Sequence, residues 1–138
     1  MNAVDTNVLI YSIDKRDPVK QAKAQQLFQH LLTGSQQPFL LWQVHQRAHQ
    51  STQALEGSGA TYPGTFDQHV LIFRSHFKLV LPTDAVIDHA LDLAKRHSLS
   101  HWDSMILGAC KEAGITTLYT DDMGAPITID GIQLVNPF

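Results

Sequence analysis

Three short stretches of this sequence place an acid among apolar neighbours: Val4-Asp5-Thr6-Asn7-Val8-Leu9-Ile10-Tyr11, His101-Trp102-Asp103-Ser104-Met105-Ile106-Leu107 and Leu118-Tyr119-Thr120-Asp121-Asp122-Met123. An ionised carboxylate is costly to take out of water, so an acid in such a setting needs a cation or a set of donors. Acids drawn from distant parts of one chain suggest a shared partner, and a hard divalent metal is the simplest one. Carboxylate-held Mg²⁺ or Mn²⁺ is a common device for phosphodiester hydrolysis.

For these acids to meet, the elements that carry them must end at one edge of the fold. Short strands alternating with helices predict an α/β protein, a three-layer α/β/α arrangement around a mainly parallel sheet. A first strand is expected near residues 2–5 and a short helix at 6–12. Asp17-Pro18 then supplies an N-cap and a first-turn proline for a helix carrying Ala22, Leu27, Phe28, Leu31 and Leu32, which Gly34 stops. Residues 38–42 read as a strand or the entry to a helix, and 43–55 as an unusually polar helix. Gly57-Ser58-Gly59 and Pro63-Gly64 mark a loop, followed by a helix at 65–75 and a strand at 78–82. Thr83 and Asp84 open a helix with an apolar stripe of Val86, Ile87, Ala90, Leu91 and Ala94. A helix at 101–113, closed by Gly114, a strand at 115–120 and a terminal pair of short strands complete the reading. Asp5, Asp121 and Asp122 thus follow strands. Asp103 opens a helix antiparallel to the strand after it, which places it at the same edge, where open α/β sheets collect ligands.

The 138 residues predict one domain, residues 1–138, with a core of its own. Hydrophobic residues make up 43% and charged residues 17%, in the range of soluble globular proteins. The formal net charge of -3 excludes a global basic field, so nucleic acid would need a local patch or a metal bridge. The single cysteine, Cys110, lies in an apolar helix stretch and reads as a buried small hydrophobe. No apolar run approaches membrane-spanning length, and no basic stretch with an apolar secretory segment follows Met1. A soluble, cytoplasmic protein is expected.

These motifs resemble the PIN-domain ribonucleases, and among them the VapC-type toxins of bacterial toxin–antitoxin pairs. The resemblance runs along nearly the whole chain. Asp5-Thr6-Asn7-Val8-Leu9-Ile10-Tyr11 is similar to the family's first acidic motif, Trp102-Asp103-Ser104-Met105-Ile106-Leu107 to its third and Thr120-Asp121-Asp122-Met123 to its fourth. The ending Ile132-Gln133-Leu134-Val135-Asn136-Pro137-Phe138 also resembles the family's C-terminus. The resemblance implies metal-dependent RNA cleavage, with Asp5, Asp103 and Asp122 around Mg²⁺ or Mn²⁺. It places Asn7 and Thr120 as donors that orient those carboxylates, and Asp121 beside them. It further implies a small antitoxin partner and a homodimer.

One position departs from the pattern. Aligning Leu41-Trp42-Gln43-Val44-His45-Gln46-Arg47-Ala48 onto the family's second motif puts Arg47 where a glutamate is expected, exchanging a ligand for a competitor of metal. Gln43 and Gln46 offer only neutral oxygens. Glu56, nine residues on, lies about 13–14 Å farther along a helix. Three readings follow. Three acids still hold one metal, with Arg47 aside or on the scissile phosphate; or Arg47 salt-bridges the acids in a pseudo-nuclease that binds RNA or protein; or Arg47 lies on the surface.

Other chemistry is weaker. His45 and His49 share the spacing of a zinc-protease helix, but Gln46 stands where a glutamate base is needed, and a polar surface helix is the simpler account. His97 and His101 repeat that spacing, but His101 reads rather as a flank of the site before Trp102-Asp103, touching RNA or doing nothing. Lys95, Arg96 and Lys111 read equally as a phosphate patch or as solvated helix faces. Trp42 and Trp102 can stack on bases, though core packing is the expectation for both. Asp5-Thr6-Asn7 has the outline of an aspartyl-phosphate loop, yet that chemistry needs a second acid where Asn7 stands.

Overall fold

The computed structural model describes residues 1–35, 37–56 and 66–138, the side chains of His49, 51–56, Phe66, Asp67 and Val70 excepted. The elements run β1 (Asn2–Val4), α1 (Thr6–Ile13), α2 (Pro18–Thr33), β2 (Phe39–Leu41), α3 (Trp42–Glu56), α4 (Phe66–His76), β3 (Lys78–Val80), α5 (Asp84–His97), α6 (His101–Glu112), β4 (Thr117–Tyr119), β5 (Ile127–Ile129) and β6 (Ile132–Val135). Their order in the sheet is β3-β2-β1-β4-β6-β5, parallel throughout except for β5, which pairs antiparallel with β6 at the edge.

The expected three-layer α/β/α architecture is the observed one. From β1 the chain steps outward twice, to β2 and β3, then returns past its start to β4. Right-handed crossovers therefore put α1 to α4 on one face and α5 with α6 on the other. The point where the direction reverses lies between β1 and β4. That pair is in register at Asn2–Thr117, Ala3–Leu118 and Val4–Tyr119, so Asp5 and Thr120 leave the sheet side by side. A crevice at the carboxyl ends of the strands opens at such a reversal.

Local chemistry explains most boundaries. Asp17 caps α2, its side chain accepting from Lys20 N–H, with Pro18 in the first turn. Thr83 and Ser100 cap α5 and α6 in the same way. Asp130 and Gly131 both have positive φ, 49° and 84°, as a two-residue turn between β5 and β6 requires. The run at 38–42 is both things at once, a strand through Leu41 and a helix from Trp42. The strands expected at 78–82 and 115–120 are trimmed to Lys78–Val80 and Thr117–Tyr119, because only those residues find ladder partners. The loop expected at Gly57-Ser58-Gly59 and Pro63-Gly64 lies outside the described residues.

Two apolar stripes differ from the sequence reading. In α2 the buried line is Ala24, Phe28 and Leu31, with Leu32 exposed; in α5 it is Val86, Ala90 and Leu93, with Ile87 and Leu91 exposed. On α5 the facing helix sets the line. Gly108 of α6 lies so close that a Cβ there would sit 2.7 Å from the Val86 carbonyl oxygen. The core joins the sheet (Val4, Leu40, Leu41, Leu118, Leu134) to both helix layers (Val8, Phe28, Val44, Leu93, Ile106, Leu107), and Cys110 is buried in it as expected. Among the described residues no helix is long and apolar enough to cross a membrane.

Candidate active site

Asp5 is the first residue past β1 and caps α1. Its backbone N–H donates to Tyr119 O at 2.9 Å, which continues the β1–β4 ladder, while its carboxylate accepts from Thr6 N–H at 2.6 Å. The side chain is 1% exposed. Thr120, fully buried at the end of β4, donates its hydroxyl to the other Asp5 oxygen at 2.9 Å. The same Thr120 oxygen accepts from Asp122 N–H at 3.0 Å and lies 3.4 Å from Asn7 Nδ2. Asn7 Nδ2 also donates to the Asp122 carboxylate at 3.2 Å, and Asn7 Oδ1 accepts from Asp121 N–H at 3.3 Å. Thus Asp5, Asn7, Thr120 and Asp122 form one hydrogen-bonded group at the strand edge.

The group borders a small cleft of about 120 Å³ lined by Asp5, Thr6, Asn7, Ile10, Arg47 and Asp122. Arg47 reaches it from α3, whose first turn is tied to α1 where Thr6 Oγ1 donates to Val44 O at 3.4 Å. Arg47 is half-buried, not a surface residue, which sets aside the third reading of this position. Among the described residues it makes no ion pair either, and neither Asp5 nor Asp122 has a cation within 4 Å. Burial pushes the Asp5 carboxyl above its ordinary pKa. The Thr6 N–H, the Thr120 hydroxyl and the positive charge of Arg47 pull it down, the Asp122 charge pushes it up, and burial prevails.

The remaining candidates fall outside the cleft. Asp103 is half-buried in the first turn of α6, where its N–H bonds to Ser100 Oγ, and its carboxylate does not line the cleft. Asp121 turns away: its carboxylate pairs with Lys20 Nζ at 2.6 Å and accepts from Asn136 Nδ2 at 3.0 Å. Lys20 also donates to Tyr11 OH at 3.1 Å and lies 5.1 Å from the Phe138 ring centroid, so Asp121 braces α2 and the C-terminal residues against the site. Sequence reading missed Thr6, Ile10 and Lys20. Nothing local flags Lys20, because its partner is 101 residues away.

The rival signals resolve as well. Arg96 pairs with Asp92 and Asp130, and Lys111 with Asp130, so these cations are matched by acids on their own face. Trp102 is 41% exposed, against the expectation of core packing, because it precedes the buried face of α6. Trp42 is half-buried, its ring stacked on His45 at 5.9 Å, beside an open pocket with Gln46 and Gln50. The His49 side chain and that of Glu56 lie outside the described residues.

A PIN domain family model matches residues 3–125. This chain belongs to the PIN domain family. No curated protein matches the sequence. Among solved structures, a toxin–antitoxin complex from Klebsiella pneumoniae is similar with a TM-score of 0.73 at 17% identity, covering 100% of this chain and 98% of that one. VapBC2 from Rickettsia felis, bound to a fragment of its promoter DNA, gives 0.66 at 13% identity, covering 96% of each. VapC20 from Mycobacterium tuberculosis, a toxin that cleaves the sarcin-ricin loop, gives 0.62 at 12% identity, covering 90% of this chain and 92% of that one. At such identities the likeness is one of fold.

The donor set decides what cation the PIN-domain cleft can accept. Two carboxylates, Asp5 and Asp122, face it, and Mg²⁺ is commonly held by one or two carboxylates, with water and substrate oxygens completing the shell. The cleft is roomy enough for a hydrated ion. Among the described residues no group of three His, Cys, Asp or Glu side chains is arranged as a metal site. One ion fits these residues. A second would stand beside the Arg47 guanidinium with no further carboxylate lining the cleft.

Proposed function

We propose that this PIN domain is a metal-dependent endoribonuclease that hydrolyses RNA phosphodiester bonds, the toxin of a toxin–antitoxin pair. The observation that carries the reading is the Asp5–Thr120–Asn7–Asp122 group, two carboxylates locked at the strand edge around a cleft. Among the described residues neither carboxylate has a cation within 4 Å. Asp5 and Asp122 would hold one Mg²⁺ or Mn²⁺, and the resemblance adds Asp103 as a third acid. When bound, the ion supplies Lewis-acid charge at the phosphate and makes water a stronger nucleophile.

The chain's own residues do the positioning. Thr120 and the Thr6 N–H fix both oxygens of Asp5, and Asn7 aims Asp122. Burial of Asp5 disfavours its charge, so a cation and an ionised Asp5 stabilise each other. RNA phosphate and two carboxylates repel, and positive charge in the cleft, from Arg47 and from a bound ion, offsets that repulsion. The toxin–antitoxin complexes among the similar structures support a small antitoxin partner. A homodimer and a cytoplasmic location rest on the resemblance.

Arg47 in the cleft favours a second reading, a degenerate nuclease that keeps the fold and a binding role. One assay separates them. Wild type with Mn²⁺ should cleave RNA, and both EDTA and Asp5→Asn should abolish the cleavage. Absence of cleavage under any divalent metal sinks the enzyme, as does cleavage that survives Asp5→Asn.

A further inference from the structure

Arg47 and the acids of the cleft stand in an unusual relation. A guanidinium that shares a small cleft with two carboxylates ordinarily pairs with one of them, since bidentate Arg–carboxylate contacts are among the stronger polar interactions. Here both acids are occupied by other donors. Asp5 accepts from Thr6 and Thr120, and Asp122 accepts from Asn7. Neither lies within 4 Å of a cation among the described residues. The Arg47 charge acts on Asp5 across the cleft without contact, one of the influences that oppose the rise caused by burial. The network that orients the acids also keeps them off the arginine.

A second polar group, without a partner among the described residues, sits on the same helix as Arg47. Gln43 precedes Arg47 by one helical turn on the same side of α3. It is 3% exposed, and among the described residues neither its carboxamide oxygen nor its nitrogen has a hydrogen-bond partner. A buried amide left unsatisfied is costly and calls for a partner from outside those residues.

We propose that Arg47 is the phosphate-binding residue of this cleft, taking a non-bridging oxygen of an RNA phosphodiester directly, so that the cleft binds RNA without metal and admits one divalent ion, not two. The inference rests on reading the cleft as an RNA site. It adds which group meets the phosphate and how many ions accompany it. Guanidinium suits this role, because it keeps its charge at any working pH and presents a planar fork of donors to phosphate oxygens. The charges agree. The two carboxylates that line the cleft (Asp103, which lies outside it, is not counted), one guanidinium and one divalent ion leave a single positive charge, the complement of one phosphodiester. A second ion would overshoot and would be repelled by Arg47.

The test measures binding apart from catalysis. Fluorescence anisotropy with a labelled single-stranded oligoribonucleotide of about twelve nucleotides, in EDTA and across a salt series, compares wild type with Arg47→Gln and Arg47→Lys. Arg47→Gln should weaken metal-free binding about tenfold and lower the salt slope by roughly 0.7, the value of one phosphate contact on a single strand. Arg47→Lys should recover part of the loss, because a point charge replaces the fork. Mn²⁺ counted by electron paramagnetic resonance should give one ion per wild-type chain and two for Arg47→Glu. Circular dichroism confirms that each variant is folded. The proposal is overturned if folded Arg47→Gln binds as wild type does, if wild type binds no RNA in EDTA, or if wild type takes up two ions. Lack of cleavage with a normal Arg47 effect on binding would reject the nuclease and leave this inference standing.

Discussion

Replacing Thr120 with valine removes one hydroxyl and changes little else in shape, and that hydroxyl is the hub of the site. It donates to Asp5 at 2.9 Å and accepts from Asp122 N–H at 3.0 Å, with Asn7 Nδ2 a weak third partner at 3.4 Å. A hydrogen bond to a charged group contributes about 1.5–3 kcal/mol and a neutral one about 1 kcal/mol. The added methyl, in a fully buried position, returns about 0.8 kcal/mol. The net expectation is a loss of about 2 kcal/mol, or a drop of about 6–8 °C in Tm for a chain of this size. The loss should also depend on pH. A carboxyl whose folded pKa is raised, as Asp5's is by burial, costs stability as pH rises through that value. Removing a donor raises it further, so the Thr120→Val penalty should be larger at about pH 8 than at about pH 5. Thr120→Ser keeps the hydroxyl and should show little of this pH dependence. Urea unfolding of the three proteins at both pH values is the assay. A loss below about 0.5 kcal/mol, or one that does not change with pH, refutes the view that Thr120 holds an ionisable Asp5 in place.

Two further predictions concern the scaffold. Gly108→Ala gains up to about 1 kcal/mol in helix propensity, but its Cβ would meet Val86 O at 2.7 Å and Ala90 N at 3.0 Å, so α5 and α6 must separate. A net loss of about 1–3 kcal/mol is expected in thermal or urea unfolding, and a stabilised variant would show that the two helices are not in that contact. Asp130, held by Arg96 and Lys111, has a carboxyl pKa well below its ordinary value, so its contribution is present above about pH 4 and is lost as pH falls below that. Asp130→Asn keeps a residue that tolerates the positive φ of the turn while removing the charge. Its destabilisation should be constant at neutral pH and vanish in acid, and a difference that persists at low pH would assign the effect to the turn instead.

Much of this protein was legible in the chain. Apolar runs cut by caps and breakers gave the helices and strands, because those signals are local: Asp17-Pro18 opens α2, Thr83 opens α5, and Asp130-Gly131 turns the final hairpin. The acids after β1 and β4 were legible too, since a parallel sheet with a reversal between those strands must bring their carboxyl ends together. Tertiary structure decided the rest. It exposed Ile87 and Leu91 of α5, because the approach of Gly108 fixed which face is covered. It sent Asp121 to Lys20 and Asn136 and kept Asp122 at the cleft, although the two acids are neighbours in sequence. It left Asp103 out of the cleft and brought Arg47 into it. Periodicity and capping act over a few residues, whereas the direction of a charged side chain depends on donors and acceptors that arrive from elsewhere in the chain. The sequence by itself determined which acids could meet; only the folded network of Thr120 and Asn7 decided which of them do, and that they do so without engaging the arginine beside them.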